Sequence, residues 1–317
     1  MTMASGVNSR LNVGLETTFK SSPTDGFILP INSSNMRINQ NVQAPDTIRG
    51  SRSSAEPSVG NKSCSGNIVV PVDSEAFWYW LRYMFGAPTT TGASSPYTHE
   101  FKNGTTQPSF TLEHYYDLGT DQYGLFNGCK INGFSISVGG DGELTASLDV
   151  VGAKYTLGSS SFDASPTTIT MARLKNFQAS LTEGGSSFAY AEEMSIKIDF
   201  GNDTSHFALG ASGELGQIPD GIVKVTGSLK AMFEDTTLLA KAAANTESAL
   251  ILTLNGGSTS QLIFEIPELI YTPTTPPIDG PKGIVYDLEF TGYYGNGADA
   301  SNIVVTCVNT TEHAGGV

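Results

Sequence analysis

The sequence predicts a mainly β fold, a sandwich or barrel with flanking helices, and three observations support this class. Apolar and polar residues alternate with a period of two over many short segments, as they do in strands with one buried face. Glycine-rich turns join these segments, and the chain has 35 glycines in 317 residues. Only two stretches have helical character, so helices flank the sheets rather than build the fold.

The alternation is clearest from Met194 to Phe200, where apolar residues at even positions alternate with Ser195, Lys197 and Asp199. We expect similar strands in segments 134–138, 144–150 and 223–233. The glycine-rich sequence 139–142 predicts a hairpin turn, and Gly227 is a candidate β-bulge.

Two helices are predicted between the strands. Asp73 is a good N-cap for a helix that reaches Phe85, and Gly86 is placed to end it. A second helix is expected to start near Asp235, because the alanine-rich segment 236–244 favours the helical state.

The first helix is unusual because it is apolar on every side. Its aromatic and aliphatic side chains must be buried all round, either in a large core or at a contact between subunits. The candidate core or subunit-interface residues are Phe77, Trp78, Trp80, Leu81 and Tyr83. Spacing favours the core for Phe77 and Leu81, whereas a subunit contact is at least as good a prediction for the two tryptophans.

The order of elements repeats along the chain. Gly66 and Gly227 each sit in a strand that precedes an aspartate and a helix, 161 positions apart. Three further pairs of segments correspond in residue character: 36–39 with 196–199, 109–112 with 249–252, and 148–152 with 288–292. The length allows two domains of about 150 residues. We therefore predict two related units, residues 1–160 and 161–317, with one composite domain as the alternative.

A long polar loop follows the first strand of each predicted unit. The first spans residues 40–63 and contains Arg49 and Arg52, and its counterpart spans residues 201–221. Loops of this length inside a compact domain are typically functional or disordered, and their presence at equivalent places in both halves suggests a shared role.

Composition excludes several classes of protein. The 17 Lys and Arg against 31 Asp and Glu give a net charge of -14, which disfavours stable binding to nucleic acid. Cys64, Cys129 and Cys307 are an odd number at wide spacing, so we expect buried free thiols rather than a disulfide framework or a zinc site. No secretory signal or membrane helix is recognised, which predicts a soluble protein of the cytoplasm.

No catalytic, cofactor or metal site is predicted. His99 reads as a strand residue, His114 points away from the neighbouring Glu113, His206 lies in a loop, and His313 belongs to a frayed tail. Motifs for nucleophiles, phosphate loops and metal ligands are missing. The carboxylate pairs Glu192–Glu193 and Glu265–Glu268 are the only support for a hydrolase, and solvated surface is the better interpretation.

Four segments in a fixed order resemble the tail tube proteins of tailed bacteriophages. They are Tyr97–Phe101 with the pattern Y-x-H-x-F, the P-S-x-T strand 108–113, the hairpin strand 128–138, and the strand 142–152 that ends in glycine. The resemblance is clearest between residues 60 and 152.

The resemblance implies a structural protein with a β-sandwich or barrel and a flanking helix, and no enzymatic activity or cofactor. Such proteins join sheets edge to edge into rings, and the rings stack into a hollow tube that conducts the genome. The loop with Arg49 and Arg52 is then the candidate contact with the neighbouring ring, and loop 201–221 is a further candidate. Implied partners are further copies of the chain, the tail tip, tape measure and terminator proteins, and DNA in transient non-specific passage. The implied location is the virion tail, after assembly in the host cytoplasm, with no membrane partner.

Two ring sizes are compatible with the resemblance, a ring of three chains and a ring of six. If each chain holds two tube units, three chains make a ring with approximate sixfold symmetry, and we favour this trimer; a composite domain would need six chains. An acidic bore would repel phosphates and let DNA slide. The alternatives are a carbohydrate-binding, adhesin-like β-sandwich, which needs an exposed aromatic platform, and a β-rich hydrolase.

Overall fold

The computed structural model describes residue 3, residues 5–278 and residues 280–313. The strands are β1 (Arg10–Leu15), β2 (Phe27–Leu29), β3 (Ser33–Ser34), β4 (Arg37–Gln43), β5 (Ser58–Pro71), β6 (Thr89–Thr91), β7 (Tyr97–Lys102), β8 (Phe110–Tyr116), β9 (Gln122–Val138), β10 (Thr145–Gly152), β11 (Lys154–Gly158), β12 (Thr167–Thr168), β13 (Ala179–Glu183), β14 (Ser186–Ser187), β15 (Ala191–Asp199), β16 (Lys224–Met232), β17 (Ser248–Asn255), β18 (Gln261–Tyr271), β19 (Val285–Gly292) and β20 (Val304–Asn309). The helices are α1 (Phe77–Phe85), α2 (Thr237–Ala243) and two short 3-10 turns, Gly6–Asn8 and Asn176–Gln178. The fold is mainly β, as predicted.

Eight antiparallel strands form what we call the central sheet. Their order is β4–β5–β10–β9–β15–β16–β19–β18, and β3 continues the line of β4 along β5. Side chains alternate along each strand between the two faces of this sheet. Those on one face are buried, whereas those on the other face are exposed or half-exposed. The buried face packs against two further sheets, which makes the fold a β-sandwich.

The two outer sheets share their long strands with the central sheet. The first outer sheet has the order β12–β2–β1–β8–β9–β11, and the second has the order β14–β13–β17–β18–β20–β7–β6. Strand β9 contributes residues 122–129 to an outer sheet and 130–138 to the central one. Strand β18 does the same with residues 261–266 and 269–271.

The strand pairings of the first half recur in the second. The neighbours β4–β5–β10–β9 correspond to β15–β16–β19–β18, and the neighbours β2–β1–β8–β9–β11 correspond to β14–β13–β17–β18–β20. The central sheet is therefore two equivalent groups of four strands, and the pair β9–β15 joins them.

The registers of these pairings recur as well. Val150 of β10 lies opposite Gly66 and Ile131, and its counterpart Phe290 of β19 lies opposite Gly227 and Tyr271. Counterparts are thus 161 positions apart in β5 and β16, and 140 apart in β9 and β18 as well as in β10 and β19. These are the offsets that the sequence predicts for segments 66 and 148–152.

One predicted alignment is wrong by two residues. Phe110 lies opposite Cys129 in the first half, and Ser248 lies opposite Leu269 in the second, each followed by a shift in register. Ser248 is therefore the counterpart of Phe110, so β17 is offset from β8 by 138 positions rather than the 140 that aligns 109–112 with 249–252. The error arose because both segments have period-two alternation, which a slip of two residues leaves unchanged.

The predicted strands are present, but Gly227 is not a bulge. The register of β15 and β16 runs evenly through Gly227 and shifts instead between Ala191 and Glu193. A Cβ atom on Gly227 would lie 2.1 Å from the carbonyl oxygen of Ser195 and 2.5 Å from Cζ of Phe290. Glycine is needed there because neighbouring groups approach the backbone closely.

Helix α1 starts later than predicted. The backbone of Asp73 bridges to Arg173, so the chain is still extended at this residue and the first helical residue is Phe77. The carboxylate Oδ1 of Asp73 accepts hydrogen bonds from the N–H groups of Glu75 and Ala76, both at 2.7 Å, in the turn before the helix. Gly86 ends the helix as predicted, with φ of 88°.

Helix α2 is short and has a similar start, since Asp235 Oδ1 accepts from the N–H of Thr237 at 2.8 Å. Within the described part of the chain, no helix is long and apolar enough to cross a membrane.

The aromatic helix α1 lies in the core of the single chain. Tyr83 stacks on Phe110 of β8 with ring centroids 4.6 Å apart, and Phe77 packs edge-on against Phe134 of β9 at 6.2 Å. The five predicted core or interface residues, Phe77, Trp78, Trp80, Leu81 and Tyr83, are each no more than 2% exposed. Burying the two tryptophans therefore requires no neighbouring subunit.

Candidate assembly surfaces

The histidines and the buried carboxylates have structural partners. His114 Nε2 lies 2.9 Å from Ser34 Oγ, and burial lowers the pKa of His114 to about 4. The adjacent Glu113 points to the opposite face and accepts from the hydroxyl of Ser161 and the N–H of Phe162. Among the described residues, no group of three His, Cys, Asp or Glu side chains could hold a metal ion.

His313 is docked rather than frayed, contrary to the prediction from its place near the C-terminus. Its ring stacks on Trp78 with centroids 3.9 Å apart and planes 7° apart, and it also contacts Tyr79 and His99 edge-on. Burial is the main cause that lowers the pKa of His313 to about 4. The stacking partner could not be foreseen, because nothing in the local sequence links residue 313 to helix α1.

Three of the four carboxylates considered for hydrolysis have contacts with other groups of the chain. Glu268 is buried and accepts from the backbone N–H groups of Gly295 and Asn296, so it shapes the loop after β19. Glu193 accepts from the hydroxyl of Ser137, and Glu192 forms an exposed ion pair with Lys230 at 3.5 Å. These contacts stabilise loops and strands.

The three cysteines are free and buried, as predicted. Burial raises the pKa of Cys64 to about 12 and raises the pKa of Cys129 and Cys307 well above the ordinary value. The thiolate, which is the nucleophilic form, is therefore scarce at neutral pH.

The polar loop 40–63 forms an arm that projects from the central sheet. Its two sides are paired strands rather than loop, since Val42 lies opposite Val59 beyond the point where β5 leaves β10. Arg49 donates to the carbonyl oxygen of Ser54 at 2.7 Å, which closes the tip. Arg49 and Arg52 are both exposed, and Ile48 is 99% exposed.

The equivalent loop 201–221 has a different environment, because it packs on the first half of the chain. Leu215 and Ile218 are buried in a small cluster with Ala153. Lys130 Nζ donates to Asp220 at 2.5 Å. This loop therefore covers part of the central sheet beside the junction of the two halves, whereas the tip of the arm contacts solvent. The apolar residues Leu215 and Ile218 were the sequence signal for this packing.

Within the described residues, both edges of the central sheet lack a pairing strand. No strand of the described chain pairs with the outer side of β4, and its residues Ile38 and Val42 are 42% and 60% exposed. At the opposite edge, β18 pairs with β19 only through residues 269–271. The chain then continues as segment 272–278, which we call the edge segment and which has no regular secondary structure.

The exposed side of the central sheet, which we call the open face, has mixed charge. Hydroxyl side chains of β9 and β10 occupy much of its middle, among them Ser135 and Ser137. Its charged side chains are Arg37, Lys197, Lys224 and Lys230, and Asp149, Glu193, Asp199, Asp287 and Glu289. The acidic excess of the whole chain is therefore not concentrated on this face.

The described chain is thus a β-sandwich protein whose central sheet ends, on both sides, in a strand edge with which no described strand pairs. The sequence profile of the phage tail tube protein family matches residues 6–292, which spans β1 to β19 and both halves. The chain therefore belongs to the phage tail tube protein family. This is a family of structural proteins of the bacteriophage tail rather than of enzymes. No curated protein matches the sequence.

Proposed function

We propose that this chain is the major subunit of the tail tube wall, and that it self-assembles into stacked rings around a bore through which DNA leaves the virion. The observation that carries the proposal is the central sheet, with one face covered by the core, one face open and both edges bare. Bare edges are a liability for a monomer, and joining copies edge to edge removes it.

The ring in this proposal contains three chains. Residues 1–160 and 161–317 then act as two tube units, and three eight-stranded sheets close into a barrel of 24 strands. The repeated pairings and registers support this stoichiometry over a ring of six chains, because the β9–β15 junction already joins two equivalent four-stranded groups in one chain.

The open face lines the bore in this arrangement, because the other face is packed against the outer sheets. DNA would then meet serine and threonine hydroxyls and charges of both signs, rather than the carboxylate lining expected from composition. Such a surface offers no continuous basic path for phosphates, so DNA can pass without being held.

The arm is the proposed contact with the next ring, with Arg49, Arg52 and the exposed Ile48 at its tip. The tail tip, tape measure and terminator proteins are the further partners that a tube requires at its ends and in its bore. Assembly is proposed to occur in the host cytoplasm.

Electron microscopy with native mass spectrometry tests the proposal. The purified chain, concentrated over a range from micromolar to millimolar, is expected to give hollow rings or tubes in negative stain and a mass of three chains per ring. The chain would not be the tube subunit if it stayed monomeric at every concentration and if antibodies to it failed to label the shaft of the virion.

A further inference from the structure

We infer that the ring closes when β4 of one copy pairs antiparallel with the edge segment 272–278 of the next copy, with Arg37 opposite Thr275. This inference rests on the proposed function and deepens it by naming the two strands and their register. The β9–β15 junction inside the chain provides a template for the junction between chains.

The internal junction has a regular register. Ile198 of β15 lies opposite Phe134 of β9, and Lys197 lies opposite Ser135. Its six residue pairs run without a bulge from Met194 to Asp199, so the two four-stranded groups are joined by a continuous ladder.

Because the two halves are equivalent, each residue of the internal junction has a counterpart at one of the two edges of the central sheet. Lys197 pairs with Thr226 and Arg37 pairs with Ser65, and residues 65 and 226 are counterparts, so β4 is offset from β15 by 160 positions. Strand β9 has a bulge at residue 132, between its pairs with Val150 and Asp149. We take Thr272, whose N–H donates to Glu289, as the counterpart of residue 132, so the offset of 140 places the edge segment where residues 132–138 lie in the first half. Lys197 opposite Ser135 then becomes Arg37 opposite Thr275.

Hydrogen-bonding groups fit the proposed ladder. The N–H of Phe200 donates to the carbonyl oxygen of Asn132 at 2.9 Å, so alternate residues 134, 136 and 138 face β15. The counterparts that face the next copy are Thr274, Pro276 and Ile278, and only the proline lacks a donor.

The other two prolines of the edge segment explain why it is not a strand in the single chain. Pro273 and Pro277 are the counterparts of residues that face β10, so in the second half they would face β19, and neither can donate a hydrogen bond. The ladder with β19 accordingly continues only to Thr272, whose N–H donates to Glu289 at 2.8 Å. In the single chain, the hydroxyl of Tyr286 donates a hydrogen bond to the carbonyl oxygen of Thr274 at 3.0 Å. Pairing with a neighbouring copy would replace this bond with a hydrogen bond from β4 of that copy.

The same chain cannot supply both strands. The two edges are separated by the whole central sheet, which at about 4.8 Å per strand is roughly 34 Å across. A second copy is therefore the occupant of each edge.

Disulfide cross-linking tests the register. Residues 37 and 275 correspond to a non-hydrogen-bonded pair, whose Cα atoms are about 4.5 Å apart, and this separation permits a disulfide. The double variant Arg37→Cys with Thr275→Cys is expected to form, on oxidation of assembled material, covalent chains up to a closed trimer on a non-reducing gel. The native thiols are buried and should not contribute.

The matched control is Arg37→Cys with Thr274→Cys, because residue 274 points to the opposite face and should give at least tenfold less cross-link. Equal cross-linking of both variants, or none in particles that form normal rings, would overturn the register while leaving the proposed function intact. Absence of rings and tubes for the unmodified chain as well would overturn both.

Discussion

Ile38 and Ile198 occupy equivalent places in the two halves of the central sheet, yet Ile38 is 42% exposed and Ile198 is fully buried. Ile198 is covered because β9 pairs with the outer side of β15, whereas no strand of the part of the chain that the structure describes pairs with that side of β4. The difference shows what a further strand would do for Ile38, and it identifies the edge of β4 as a surface that assembly should bury.

A charge at this edge is expected to block assembly without unfolding the chain. In Ile38→Asp the carboxylate stays hydrated in the monomer, so the free energy of unfolding should change by less than about 1 kcal/mol. Pairing would then bury an unpartnered charge, which is costly, so rings should be lost. Light scattering and urea denaturation measure the two effects.

Two controls locate the effect. Ile198→Asp places the same charge in the core and should destabilise the monomer by more than about 4 kcal/mol. Ile48→Asp lies at the tip of the arm and should leave single rings intact. Normal ring formation by Ile38→Asp would contradict the account of this edge.

The glycines at equivalent places in β5 and β16 are expected to be irreplaceable. A Cβ atom on Gly66 would lie 2.5 Å from Cα of Met36, and one on Gly227 would lie 2.1 Å from the Ser195 carbonyl oxygen. Either Gly→Ala variant should lose about 1–3 kcal/mol in chemical denaturation. In Gly140→Ala the added Cβ atom would meet no described atom within 4 Å beyond its two chain neighbours, so the free energy of unfolding should change by less than about 0.5 kcal/mol. Similar losses in all three variants would refute the close-approach explanation.

Asp73 should make the stability of the chain depend on pH. Burial is the main cause that raises the pKa of Asp73 from 3.8 to about 6, so the folded state favours the protonated form. The contribution of this group is therefore greatest below pH 3.8 and is lost as the pH rises through 6. At pH 8, Asp73→Asn keeps an acceptor for the two N–H groups without the buried charge, and should raise the free energy of unfolding by about 1–2 kcal/mol.

Asp73→Ala provides the comparison, because it removes the acceptor as well and should cost about 1–2 kcal/mol at pH 5. Urea denaturation at pH 5 and pH 8 separates the cases. The measured quantity is the free energy of unfolding of Asp73→Asn minus that of the unmodified chain. A smaller value of this difference at pH 8 than at pH 5 would contradict the raised pKa of Asp73.

Docking of the C-terminal segment should weaken in acid. Because burial lowers the pKa of His313 from 6.5 to about 4, the folded chain binds fewer protons than the unfolded chain between these values. Docking is therefore at full strength above pH 6.5 and weakens as the pH falls toward 4. The stacked Trp78 reports the change in its fluorescence, and His99 and Glu75 are the other titratable groups beside His313.

His313→Phe retains an aromatic ring that cannot be protonated, so it should remove the fluorescence transition between pH 6.5 and 4. A transition that persists unchanged in this variant would assign the pH dependence to another group.

The fold was largely predictable where local pattern decides structure. Period-two alternation identified β10, β15 and β16, and the strand-and-helix order around Gly66 and Gly227 revealed offsets that the registers reproduce. The sequence has no comparable pattern that identifies which strands pair when they are distant along the chain. Strand β7, from the first half of the sequence, joins the second outer sheet beside β20, and no periodicity within either strand indicates its partner.

The candidate surfaces were less predictable for a related reason. Whether a strand is central or at an edge depends on the order of the sheet, so Ile38 and Ile198 look alike in the sequence. The loops 40–63 and 201–221 also look alike, although one is a paired arm and the other packs on the first half. The residues Arg49 and Arg52 remain a prediction for the contact between rings.

Cryo-electron microscopy of the assembled tube is the most direct test of the central claim. We expect threefold rings in which each chain contributes eight strands to one barrel, the open face lines the bore, and β4 lies beside residues 272–278 of the next copy. Six chains per ring, or a central sheet with its open face on the outside of the tube, would contradict it.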